Sequence, residues 1–127
     1  MSPAPRHEIL WTQTALEMLA GISDRRIRQQ MFDTSKRLEA DPDKQGKPLR
    51  EGLVGFRSLR VVGQRCRLIF SIDSEAGLVH VVAAGIRRQG SRDDVYQLAQ
   101  RLVRLGLAPS GRPAKMGRRR GGQRKKK

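Results

Sequence analysis

The sequence predicts an α+β fold, with a helical pair and a C-terminal helix packed on a small, mostly antiparallel sheet. Three observations carry this reading. Apolar residues recur at helical spacing through 13–40, they alternate or run unbroken at strand length through 56–86, and they return to helical spacing over 91–105. Strands gathered in one run, with helices before and after, belong to the α+β class rather than to alternating βα units. A chain of 127 residues suffices for one domain.

Taken in order, the elements read β-α-α-β-β-β-α. "HEILWT" (7–12) is a short strand with Ile9 and Trp11 facing one way and Leu10 the other. Thr12 or Thr14 can cap the helix that follows, whose stripe is Leu16, Leu19 and Ala20, and Gly21 breaks it. Ser23 or Asp24 opens a second helix with Ile27, Met31, Ser35 and Leu38 on one face, ending at "ADPD" before Pro42. So short a turn between them predicts an antiparallel helical hairpin. The Gly- and Pro-rich stretch 44–55 reads as loop. "FRSLRVV" (56–62) and "RCRLIFSI" (65–72) flank Gly63-Gln64 as a tight hairpin. In the second strand Cys66, Leu68, Phe70 and Ile72 form one row, and Arg65 and Arg67 fall on the opposite face. "LVHVVAAGI" (78–86) is apolar on both parities, as a central strand covered on both faces should be. Val95, Leu98, Ala99, Leu102 and Leu105 make the last amphipathic stripe, with Ser91 and Asp94 at capping-box spacing and Gly106 as the stop. Residues 1–106 are therefore expected to form the domain, and 107–127 a disordered basic tail with nothing apolar enough to bury.

Charge narrows the partners. The chain carries 27 Lys and Arg against 12 Asp and Glu, a net +15. Nine of the basic residues lie beyond Gly106, where there is no acid, which still leaves +6 on residues 1–105. Within 44–72 seven basic residues face Glu51 alone. The folded part thus has a basic patch of its own, and nucleic acid is the polyanion it fits best. Cys66 is the one cysteine, which excludes an internal disulfide and points to the cytoplasm. No apolar run is long enough to span a membrane, and "MSPAPRHEILW" has no signal-peptide pattern. Two histidines and one cysteine have no metal-ligand spacing, no phosphate-binding GxxxxGK[ST] loop occurs, and no cofactor is expected. His80, mid-strand in an apolar run, reads as a core histidine.

The segments "KPLREGLVGFRSLRVVGQRCRLIFSID", "VHVVAAGIRR" and "DVYQLAQRLV" resemble the RelE/ParE superfamily of toxins from bacterial toxin–antitoxin systems, over about residues 7–105. The likeness is greatest to the RelE branch, whose members cleave mRNA on the ribosome without a metal; the ParE branch acts on DNA gyrase and lacks the nuclease residues. By this resemblance the basic residues of the first hairpin strand correspond to Arg57 and Arg60. The arginine opening the "RL[IV][YF]" strand corresponds to Arg67, the basic residue after the glycine of the central strand to Arg87, and the tyrosine of the last helix to Tyr96. The hairpin is slightly longer than in RelE, which leaves the register between Arg57 and Arg60 open. Phe56 and Cys66 stand where family members often carry tyrosine, and the basic tail belongs to neither branch.

Metal-free RNA cleavage needs a base for the 2′-OH, positive charge around the phosphorane, and help for the departing 5′-oxygen. A guanidinium fork matches phosphate oxygens, and removing one such donor costs on the order of 10²–10³ in rate. A phenol serves as base only where neighbouring cations favour phenolate. The resemblance therefore implies Arg57 and Arg67 holding the phosphate, Arg87 assisting the leaving group, and Tyr96 as general base or base-stacking platform. Arg60, Arg65, Arg88, Lys47 and Arg50 would bind RNA. The partners implied are mRNA, the ribosome and a cognate antitoxin, with no membrane; the tail is either an RNA-binding extension or a solubilising end. Two other readings stand beside this one: a ParE-like, non-enzymatic inhibitor of gyrase, and a nucleic-acid-binding module with a degenerate site.

Overall fold

The computed structural model describes residues 6–61, 65–88, 90–92 and 94–109. The expected Gly63-Gln64 turn lies outside them, as does the tail beyond 109. Five strands, β1 (Glu8–Trp11), β2 (Lys47–Pro48), β3 (Arg57–Val61), β4 (Cys66–Asp73) and β5 (Leu78–Ile86), form one sheet in the order β1-β5-β4-β3-β2. β1 runs parallel to β5 and the other pairs are antiparallel. Three helices, α1 (Gln13–Ala20), α2 (Arg25–Ser35) and α3 (Val95–Arg104), pack on this sheet, confirming the α+β class. Among the described residues no helix is long and apolar enough to cross a membrane.

The caps settle the alternatives at the helix starts. Thr12 accepts from the Ala15 N–H at 3.0 Å, and Asp24 from those of Arg26 and Ile27. α2 ends earlier than its periodicity predicts. The Ser35 hydroxyl donates back to the Phe32 carbonyl at 2.6 Å and accepts from the Trp11 indole at 3.2 Å, and the chain tightens into a 3₁₀ turn at Lys36–Glu39. Leu38 still reaches the core from that turn. The stripe expected on α1 is rotated: Ala15 is buried and Met18 and Leu19 pack inward, while Leu16 is 41% exposed. α3 starts at Val95 rather than near Ser91, with Asp94 itself as the cap, and Leu105, beyond its end, is exposed.

β2 is not among the strands expected from the sequence, because two residues show no period. It pairs Lys47 with Ser58 and Pro48 with Arg57 at the sheet edge, the one place where a residue without an N–H costs no ladder bond. Gly46 just before it has φ +70°, and a Cβ there would lie 2.4 Å from the Ser58 carbonyl oxygen, so only glycine brings β2 this close.

Both sheet faces are covered. Ala15, Met31 and Leu38 pack with Leu59, Leu68, Phe70, Val79 and Val81 on one side. Val95, Ala99 and Leu102 of α3, with Leu53 and Phe56, pack with Ile69, Val82 and Ala83 on the other. A β-bulge makes this possible: Ile69 pairs with Ala83 but Phe70 pairs with Val81, so Val82 is passed over. Val82 and Ala83 consequently share the α3 face, and the parity of β5 inverts beyond them. Ala84 returns to the hairpin side, and Gly85 faces Val95, 3.5 Å from where its Cβ would stand. Arg87, the next residue of that row, is thereby delivered to the α3 face. Past Gly106 the chain stays on this face: Ala108 joins the second cluster and the Pro109 carbonyl accepts from the buried Ser71 hydroxyl at 2.6 Å.

Candidate active site

On the α3 face, a cleft of about 410 Å³ opens between β2, β3, β4 and the start of α3. Lys47, Pro48 and Leu49 form one wall, Ser58, Arg60 and Arg67 the floor, and Tyr96 the opposite wall. Lys47 and Ser58 are ladder partners, and so are Arg60 and Arg67. Partners across an antiparallel pair share a face, so three cations converge here by register. Like charges directly opposite across a ladder are unfavourable, and an anion such as phosphate would offset that between two guanidiniums.

Tyr96 is held from three directions. Its hydroxyl lies 2.7 Å from the Ser58 hydroxyl, and its backbone N–H donates to Asp94 Oδ2 at 3.1 Å. The Arg87 guanidinium carbon stands 4.4 Å from the ring centroid, a cation–π contact that covers one face of the phenol. Arg87 in turn donates through Nη1 to Asp94 Oδ2 at 2.5 Å, and its N–H continues the ladder to the Arg65 carbonyl.

Of the residues singled out from sequence, the structure gathers Lys47, Arg60, Arg67 and Tyr96 at the cleft, with Arg87 behind the tyrosine. It does not bring Arg57 there. Arg57 shares its row with Leu59 and Val61, on the helical-hairpin face, and its guanidinium donates to the Gln45 carbonyl at 3.0 Å and the Gly46 carbonyl at 3.2 Å. It holds the approach to β2 rather than lining the cleft. The open register thus places Arg60, not Arg57, beside Arg67. Arg65 and Arg50 are exposed. Arg88 lines a different cavity, with Met18, Ile22 and Leu98. Cys66 is buried on the hairpin face; burial pushes its thiol up, against an opposing pull from Arg67 and Arg65. Among the described residues no group of three His, Cys, Asp or Glu gathers that could hold a metal ion.

Two further residues of the site are not among those expected from sequence. Ser58 is legible there: it stands two residues before Arg60, on the same strand parity. Asp94 is marked in the sequence only by its capping-box spacing, and no local pattern signals that both of its oxygens are engaged.

No family model matches the sequence, and no curated protein does. Solved structures do match. The chain is similar to a structure of a RelBE toxin–antitoxin complex from Mycobacterium tuberculosis, at 27% identity and TM-score 0.60 over 68% of this chain and 98% of that one. It is also similar to a free mutant form of E. coli RelE, at 17% identity and TM-score 0.61 over 77% of this chain and 98% of that one. A YoeB/ParE toxin from Agrobacterium tumefaciens matches at 15% identity and TM-score 0.54, over 64% and 99%. The last two likenesses are of fold alone, whereas the mycobacterial one extends to sequence. By its sheet order, its helices and the segments 47–73, 79–88 and 94–103, the chain belongs to the RelE/ParE toxin superfamily.

Proposed function

We propose that this protein is the toxin of a type II toxin–antitoxin system, acting in the cytoplasm as a metal-independent endoribonuclease on mRNA at the ribosome. The observation that carries the reading is the convergence of Lys47, Arg60 and Arg67 on one cleft whose wall is the Tyr96 hydroxyl. A basic patch for binding alone needs no phenol held by a serine at 2.7 Å. In this reading Arg60 and Arg67 grip the scissile phosphate, and Arg60 takes the role that the resemblance assigns to Arg57. The 2′-oxygen attacks phosphorus as the Tyr96 oxygen, reacting as phenolate, takes its proton. The bond to the 5′-oxygen breaks and that oxygen takes a proton from water, leaving a 2′,3′-cyclic phosphate and a 5′-OH, and the hydroxide so formed restores the phenolate. Arg87, lying over the ring, sets its positive charge against the phenolate that acts as base. Lys47 extends the phosphate path. The RelBE complex among the similar structures supports a cognate antitoxin as the protein partner. Residues 107–127, with nine basic side chains, would add phosphate contacts outside the cleft.

The test is mRNA cleavage on programmed ribosomes in EDTA-containing buffer with Mg²⁺ held in slight excess, with ends mapped by primer extension. Wild-type protein is expected to cut at the A-site codon, and Arg87→Ala and Tyr96→Phe to lose about tenfold or more. Intact mRNA with folded wild-type protein would remove the nuclease reading. Inhibition of supercoiling would then favour a gyrase inhibitor, and steeply salt-dependent RNA binding a non-catalytic module.

A further inference from the structure

Asp94 carries more than a helix cap requires. Asp24, the cap of α2, does its work exposed to solvent, with one oxygen receiving two backbone N–H groups. Asp94 is buried, its side chain 1% exposed, and both of its oxygens are engaged. Oδ1 accepts from the Arg88 N–H at 2.5 Å, and Oδ2 accepts from the Tyr96 N–H and from the Arg87 guanidinium. Burying a carboxylate is unfavourable unless donors compensate, and here the donors come from Arg87 and Arg88, just past the end of β5, and from Tyr96 at the start of α3. We propose that Asp94 is a positioning residue of the nuclease site: it fixes the Arg87 guanidinium over the Tyr96 ring, so that the phenol keeps its orientation toward Ser58. This inference rests on the nuclease reading for its consequence in the reaction, but not for the contact itself.

Tyr96 is the only tyrosine in the chain, so ring-¹³C tyrosine labelling of the full-length protein reports on this ring alone. Asp94→Asn preserves shape and one acceptor for the cap but removes the charge that holds the guanidinium. Its Tyr96 ring resonances are expected to move in the same direction as those of Arg87→Ala, and the double variant to coincide with Arg87→Ala. In single-turnover cleavage on ribosomes, Asp94→Asn is expected to lose about tenfold or more in rate with half-saturation within about threefold of wild type, and to cost less than about twofold when added to Arg87→Ala. A purely structural cap would instead give losses that multiply. Wild-type ring resonances in folded Asp94→Asn, or multiplying losses, overturn the proposal. If Asp94→Asn does not fold, the same readings are taken on Asp94→Glu, which keeps the charge and displaces the guanidinium by one methylene. Wild-type protein that leaves mRNA intact defeats the nuclease reading, while the ring resonances still decide whether Asp94 holds Arg87 on Tyr96.

Discussion

Gly46→Ala tests how the cleft wall is held. Gly46 and Gly77 both have φ +70°, where an L side chain costs roughly 1–2 kcal/mol. The surroundings differ: a Cβ at Gly77 meets nothing within 4 Å, whereas at Gly46 it would stand 2.4 Å from the Ser58 carbonyl oxygen and 3.0 Å from its carbon. Those atoms are backbone of β3, so relief requires β2 to move away from β3. Forcing a methyl into filled space typically adds about 1–3 kcal/mol. Gly77→Ala should therefore lose about 1–2 kcal/mol and Gly46→Ala about 2–5 kcal/mol, the difference being the steric clash alone. Urea unfolding followed by circular dichroism measures both, with the m-value checked for constancy so that midpoints convert to free energies. The displaced Lys47–Pro48 wall should also weaken RNA binding by Gly46→Ala and leave Gly77→Ala unaffected. Equal losses, within about 0.5 kcal/mol, would refute the close approach of β2 to β3 and with it the cleft's shape.

Arg60→Ala should lower the slope of log Kd against log salt for single-stranded RNA by about 0.7, the share of one phosphate contact, whereas Arg57→Ala should leave the slope unchanged and reduce stability; equal slopes for the two variants would contradict their placement on opposite faces. Ser58→Ala removes the partner of the Tyr96 hydroxyl at a stability cost of about 0.5–1.5 kcal/mol, and cleavage should fall with mRNA binding unchanged, read from single-turnover rates against ribosome concentration. Burial raises the Cys66 thiol above its ordinary value of 9.0, so the folded state keeps a proton that the unfolded chain releases; wild-type stability should fall as pH rises above about 9, and Cys66→Val should show a shallower decline in urea midpoint between pH 8.5 and about 10.5.

Side-chain parity within a strand is local information, and it is plain in this sequence. The row Cys66, Leu68, Phe70 and Ile72 separates the core from Arg67 by alternation alone. The same rule applied to 57–61 sets Arg57 with Leu59 and Val61 and leaves Ser58 and Arg60 on the other side; the family resemblance admits both arginines, and parity is what divides them. Basic charge, helix order and the α+β class are likewise legible from composition and spacing. What no local pattern determines is where two strands fall out of step. The bulge at Val82 arises from the pairing of β4 with β5, and it alone turns Arg87 from the hairpin face to the face of Tyr96. β2 exists because Gly46 lets an edge segment approach Ser58, and the burial of Asp94 depends on the segment after β5 and the start of α3 meeting around one carboxylate. The residues of the site are written in the sequence; their assembly on one face is a property of register, which only the folded sheet decides.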